Sequence, residues 1–237
     1  ITYLLTSGSF TTMLQPILET LNKKKIVLAS GSPRRKEIMT ALGLKFTSVP
    51  SLFEENLEKS SFNGPSEYAK ETARQKALEV YHRLQKTAQP DLVVAVDTVV
   101  YVDEKIVEKP KDEEDAFEMI RSLSGRTHSV HSGVVLLKPN PMGNVNSANQ
   151  ENFSIRQFDE VTNVTFGSLT DQIIKTYVAT KEPLDKSGGY GIQSTGLGGS
   201  FVKSISGDYF NVIGFPLHHF CVEIRAMFED TQNKGDV

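Results

Sequence analysis

The sequence predicts an α/β fold, and three observations carry that prediction. Short apolar, β-branched runs alternate along the chain with stretches whose apolar residues recur at helical spacing. The run Leu92–Val102 is nearly all apolar, the pattern of a central strand buried on both faces. No internal repeat and no long linker interrupts the alternation, so a single domain over residues 23–229 is expected.

The elements follow in order. Residues 1–22 contain no Lys or Arg, so they lack the basic start of a secretory signal and the arginines of a transit peptide. They read as an N-terminal extension in which Met13–Leu21 forms a short helix after Pro16. Lys25–Ala29 is a strand. Ser30–Arg35 (S-G-S-P-R-R) turns from it into a helix, with Ser32 suited to the N-cap and Pro33 to the first turn. Lys45–Pro50 is a second strand, followed by the acidic pair Glu54 and Glu55. Glu67–Leu84 is a helix, with Ala69, Ala73, Ala77, Val80 and Leu84 on one side. After Leu92–Val102 a turn leads to a short strand, Ile106–Glu108. Asp112 then caps a helix that Gly125 ends. Thr127–Lys138 and Phe158–Phe166 are strands, and Pro139–Asn152 between them reads as an exposed loop. Ser168–Asp171 resembles a capping box and opens a helix through Val178. Gly188–Gly199 holds six glycines and must follow an unusual path. Phe201–Ile205 and Tyr209–Ile213 are expected as a hairpin about Ser206-Gly207-Asp208. Pro216–Phe228 is a last amphipathic helix, and residues 230–237 form a polar, fraying tail.

Composition narrows the functional classes. Hydrophobic residues make up 38% and charged residues 23%, a globular balance with material for a core. Lys+Arg is 26 and Asp+Glu 29, a net charge of −3, so no global positive field draws a nucleic acid. The single cysteine, Cys221, excludes an internal disulfide and a multi-cysteine zinc site, and it fits a reducing, cytoplasmic setting. No apolar run approaches the roughly 20 residues of a membrane span.

Several features bear on chemistry. At Ser30–Arg35 free backbone N–H groups at a helix start suit an anion, and Arg34 and Arg35 add donors suited to phosphate. The alternative is a capped helix carrying two solvated arginines. The turn lacks the Gly-Lys-Ser/Thr ending of a Walker A loop, and no G-x-G-x-x-G occurs. Asp97 sits among apolar neighbours, where a carboxylate is costly unless paired, hydrogen-bonded or metal-bound. It is either a structural acid at a strand end or a functional one, and then a general base or a metal ligand. Lys76 lies at the edge of an inward helical stripe and reads by itself as a lysine keeping its head in water. Lys109, Glu54 and Glu55, each taken alone, are ordinary loop residues. The glycine run with Tyr190, Ile192 and Gln193 is either a tight crossing or a place where backbone approaches a ligand. Together the basic groups suit a polyphosphate and the acidic groups a divalent ion and an activated water, the pair that phosphoryl chemistry needs. Ser/His/Asp and Cys/His catalysis find no comparable arrangement.

Read in order, S-G-S-P-R-R, A-R-Q-K-A (Ala73–Ala77), V-D-T-V-V (Val96–Val100), E-K-P (Glu108–Pro110), L-S-G-R-T-H (Leu123–His128), E-P-L-D-K-S-G-G-Y-G-I-Q (Glu182–Gln193) and N-V-I-G-F-P-L (Asn211–Leu217) resemble the Maf family of nucleoside triphosphate pyrophosphatases. The likeness covers about Lys25 to Phe228 and is greatest to the Maf domain of acetylserotonin O-methyltransferase-like proteins, without their methyltransferase half. It implies a long mixed, twisted sheet flanked by helices, in two lobes around a cleft, often as a homodimer. It implies hydrolysis of a nucleoside triphosphate to monophosphate and pyrophosphate with Mg²⁺ or Mn²⁺. By motif position, Asp97 is the general base. Ser30, Ser32 and Arg35 hold phosphate, Lys76 and Lys109 add positive charge, and Glu55 stands near the metal. Arg34, Thr98 and Gln193 match positions that bear on base choice, in the combination that resembles the dTTP- and UTP-preferring branch. The resemblance involves neither nucleic acid nor membrane. A non-catalytic nucleotide-binding regulator of cell division on the same fold is the alternative.

Overall fold

The structure is a computed structural model that describes residues 12–140, 152–193 and 197–229. The expected loop at Pro139–Asn152 falls almost wholly outside these residues, as do the tail at 230–237 and residues 1–11 of the extension.

Seven strands form one mixed sheet: β1 (Ile26–Leu28), β2 (Phe46–Ser48), β3 (Leu92–Val102), β4 (Lys105–Val107), β5 (Thr127–Pro139), β6 (Phe153–Phe166) and β7 (Val202–Ser206). The order is β2-β1-β3-β5-β6-β7, with β4 beside β3. The helices are α1 (Leu18–Asn22), α2 (Pro33–Ala41), α3 (Pro65–Leu84), α4 (Glu113–Leu123), α5 (Asp171–Val178), α6 (Tyr209–Ile213) and α7 (Leu217–Glu229). Among the described residues no helix is long and apolar enough to cross a membrane.

One edge of β3 is shared by two partners. β1 runs parallel to its first residues as far as Val94, and β4 runs antiparallel to its last residues from Val100. Between them Ala95–Val99 have no strand partner on that edge among the described residues, although β5 pairs them continuously on the other. The sheet is therefore split beside Asp97 and Thr98. Successive side chains of a strand point to opposite faces, so a split of this kind lets both neighbours reach one cleft. β1 turns away at the split into Ser30–Ser32 and α2, which delivers a helix start to the same place.

Helix α3 lies close against the sheet because residue 133, opposite Asp97 in the β3–β5 ladder, is glycine. A Cβ there would lie 2.3 Å from the Lys70 backbone nitrogen and 2.5 Å from the Ala69 carbonyl oxygen. Two turns further along α3, Lys76 reaches the split.

The largest core cluster gathers Leu28 and Val94 from strands, Phe220 and Ile224 from α7 and Phe215 from the turn before it, and it also takes in Leu14, Ile17 and Leu21. The described part of the extension is thus built into the core. Cys221 is buried there, and burial pushes its thiol up to about 11, which keeps it protonated at neutral pH.

Three local expectations need correction. Tyr209–Ile213 is a helix, not the second strand of a hairpin. Its β-prone residues are overridden at both ends: the Asp208 side chain accepts from the Phe210 N–H, and Gly214 ends the turn at φ 107°. The Asn211 amide then pins the helix to the Val130 and Glu160 carbonyls at 3.1 and 3.2 Å. Helix α5 starts two residues later than a Ser168 cap implies, because Thr170 accepts from the Ile173 N–H. Ser32 does occupy the N-cap position of α2, but its side chain makes no capping hydrogen bond.

Candidate functional site

A cleft of about 1090 Å³ opens at the split in the sheet. Ser30, Ser32, Arg34, Arg35, Glu55, Lys76, Asp97, Thr98, Lys109 and Gln193 all line it. Glu54 does not; of the acidic pair only Glu55 faces the cleft.

On the α3 side of the sheet, Asp97 is 6% exposed and Lys76 8%. The Lys76 Nζ donates to Asp97 Oδ1 at 2.7 Å and stands 2.9 Å from Glu55 Oε1. One ammonium thus joins two carboxylates from different segments. The ion pair answers the cost of burying Asp97, and the lysine head is not in open water.

On the opposite side of β3, Arg35 is held in place by three bonds. It donates to the Gly214 carbonyl at 2.9 Å, to Ser30 Oγ at 3.3 Å and to Thr98 Oγ1 at 3.1 Å. Burial lowers its pKa, against the opposing pull of Asp97 and Glu55, but a guanidinium stays charged across the physiological range. With five N–H donors and three of these bonds, it keeps donors for a further partner. Ser30 Oγ also accepts from the Ser32 N–H at 3.2 Å, and the Ser48 hydroxyl donates to the Ser30 carbonyl at 2.7 Å. These bonds set the turn that opens α2. Thr98 and Ser132 share a hydrogen bond of 2.9 Å between their hydroxyls.

Two loops close the cleft. The loop carrying Glu55 is tied down at both ends. Glu79 accepts from Ser51 Oγ at 3.0 Å and from the Leu52 N–H at 2.9 Å, while Lys59 meets Glu108 at 2.5 Å. Glu108 also accepts from the Tyr68 hydroxyl at 2.8 Å, which fixes the backbone next to Lys109. The second loop is the glycine-rich run. Tyr190 turns into the core, where its hydroxyl meets His128 Nε2 at 2.8 Å and its ring stands edge-on to Phe166. Gly191 donates its N–H to the Tyr177 hydroxyl at 3.1 Å.

The sequence reading missed Lys186 and Ser187, which line the same cleft. Ser187 Oγ donates to the Thr98 carbonyl at 2.7 Å, tying the glycine-rich segment to β3. The signal was present: both precede the glycines in a stretch with no reason to bury a lysine.

The chain belongs to the Maf-like family, whose model, described as Maf-like protein, matches residues 25–227. It is 46% identical over 218 residues to a human protein named probable bifunctional dTTP/UTP pyrophosphatase/methyltransferase protein. That alignment covers 91% of this chain and 34% of the relative, so the chain spans about a third of the human protein's length. It is 44% identical over 195 residues to a dTTP/UTP pyrophosphatase of Clostridium perfringens, covering 82% of this chain and 92% of the relative. It is 41% identical over 207 residues to a dTTP/UTP pyrophosphatase of Clostridium botulinum, covering 87% and 98%.

Proposed function

We propose that this chain hydrolyses nucleoside triphosphates between the α- and β-phosphates, releasing monophosphate and pyrophosphate, with dTTP and UTP preferred. The observation that carries this reading is the meeting, at one split in the sheet, of a buried carboxylate, a helix start bearing two arginines, and two lysines. The names of the relatives at 41–46% identity support the same reaction and the same bases.

In this reading Asp97 accepts the proton of a water attacking the α-phosphorus. The new P–O bond forms as the bond to the bridging oxygen breaks, and pyrophosphate leaves with that oxygen. Arg35 and the N–H groups of the Ser30–Ser32 turn hold the phosphate oxygens. Lys76 and Lys109 offset the charge that builds on the leaving group. Arg34, Thr98 and Gln193 face the base.

A divalent ion fits the donors present. Two carboxylates, Glu55 and Asp97, share one ammonium, and a small hard cation is held by one or two carboxylates with substrate phosphates and water completing its shell. Among the described residues no group of three or more His, Cys, Asp or Glu is placed to hold an ion alone, so the fit is to Mg²⁺ or Mn²⁺ shared with the nucleotide. When bound, such an ion supplies neutralisation of the triphosphate charge. The same reading makes the working form a cytoplasmic homodimer.

Product analysis with dTTP, UTP, CTP, ATP and 7-methyl-GTP, in Mg²⁺ and in Mn²⁺, tests the proposal. Monophosphate and pyrophosphate, formed fastest from dTTP or UTP, are expected. Diphosphate and free phosphate would place the cut at the wrong bond. Bound nucleotide without turnover would transfer the chain to the regulator reading.

A further inference from the structure

Lys186 is a lysine with little access to solvent in a segment otherwise made of turns and glycines. Its side chain is 9% exposed, yet it lines the cleft together with Arg34 and Gln193. It approaches Arg34 across the backbone of Gly191. A Cβ on residue 191 would lie 2.7 Å from Arg34 Nη2 and 2.7 Å from Lys186 Cε, so the missing side chain leaves room for the two cationic side chains to close over that point. Like charges brought together need a counter-charge, and Glu182 supplies it. Its Oε1 lies 3.9 Å from Arg34 Nη2 and 3.8 Å from Lys186 Nζ, is shut off from solvent and accepts no hydrogen bond from the described residues. Glu182 thus offsets the charges without using up their donors. Lys186 Nζ spends two of its three donors on the Glu182 carbonyl at 2.7 Å and on Asp185 Oδ1 at 2.5 Å.

We infer that Lys186 is a specificity-determining residue for the nucleobase, and that it selects a carbonyl at position 4 of a pyrimidine. The inference rests on the pyrophosphatase reading and deepens it. An ammonium and a guanidinium offer donors and no acceptor. Uracil and thymine present an acceptor, O4, where cytosine presents the N4 amino donor. A wall of donors accepts the first two and leaves cytosine with donor facing donor, and unpaired polar groups of this kind discriminate strongly. Gln193, which carries both a donor and an acceptor, is suited to the mixed edge of the ring. In the proposed function the anionic end of the nucleotide has its own partners in the Ser30–Ser32 turn and Arg35, so Lys186 is not needed there.

The test measures kcat/KM for UTP and CTP in the wild type, Lys186→Met and Lys186→Gln. Met removes the charge and the donors at similar length, and Gln restores a neutral donor with an acceptor. The UTP:CTP preference is expected to fall on the order of 10- to 100-fold in Lys186→Met, the range of a lost charged hydrogen bond, and by less in Lys186→Gln. Equal losses on both substrates, or an unchanged ratio, would overturn the proposal, because a phosphate contact or a purely structural lysine gives one or the other. Thermal melts accompany both variants; if Lys186→Met does not fold, the Lys186→Gln ratio decides in the same sense. Dissociation constants for the α,β-imido analogues of UTP and CTP are measured in parallel. A wild type that binds these analogues and cleaves no triphosphate would end the pyrophosphatase reading, while the binding ratio would still judge Lys186.

Discussion

Two walls of the cleft are held by different physics. On β3 and α3, Asp97 and Lys76 sit on regular elements, a strand paired to β5 from Val93 to Tyr101 and a 20-residue helix, and their side chains meet at 2.7 Å. The wall from Asp185 to Gln193 has no regular element longer than a 3₁₀ turn. It is held from behind: Tyr190 enters a nest of aromatic rings, 4.7 Å between centroids from Phe166 and 5.4 Å from His128. The first wall is positioned by main chain and stabilised by charge. The second is positioned by packing in a core cluster of its own. A substitution in the first wall changes chemistry where it stands, whereas a substitution behind the second moves groups several residues away.

The largest effect that would break or sharpen this contrast is at Asp97. Asp97→Asn is expected to lower kcat on the order of 10²- to 10⁴-fold, the usual contribution of a positioned base. The melting temperature should change little, because Lys76 keeps Glu55 as its partner at 2.9 Å. A variant with full activity would remove Asp97 from the reaction. One that melts far below the wild type would show that charge holds the fold and not only the site.

His128 tests the second wall by pH. Burial lowers its pKa from 6.5 to about 4, and protonation would leave the proton on Nδ1 buried without a partner. The folded state binds the proton more weakly than the unfolded chain does. The stability tied to neutral His128 is therefore whole above pH 6.5 and is lost as pH falls towards 4, by about 3 kcal/mol in all. Urea unfolding across that range should show a shallower acid slope in His128→Gln than in the wild type. Identical slopes would mean that the ring is not held neutral by the fold.

The smallest effect is expected at Tyr190→Phe, which keeps the ring and removes the 2.8 Å bond to His128. Leaving His128 Nε2 without that partner costs about 1–2 kcal/mol. Steady-state kinetics should show KM for dTTP rising more than kcat falls, since the variant loosens a wall and leaves Asp97 in place. A loss confined to kcat would contradict the division of labour between the walls.

Much of this was legible before the structure. The bounds of Leu92–Val102 are those of β3, because an unbroken β-branched run has only one way to be buried. Asp97 stands out in a run that, Thr98 apart, is apolar, and the cost of burying it is met by the ion pair with Lys76. Lys76 was ambiguous for a physical reason: helical periodicity says that a residue lies at the edge of a stripe, not what stands opposite it. Tyr209–Ile213 misled because local propensity lost to two caps and one buried amide. Leu14, Ile17 and Leu21 showed too short a pattern to announce that they fill the main core.

The sequence by itself determined the elements, the kinds of charge available and the order in which they meet the chain, because periodicity and capping act over a few residues. Only the tertiary structure decided that β1 and β4 stop short of each other along β3, that the Lys76 ammonium joins two carboxylates each 21 residues away along the chain, and that a glycine leaves room for Lys186 and Arg34 to close on each other. Those facts depend on where one element ends against another. Such endings are set by packing between distant parts of the chain, which no local pattern records.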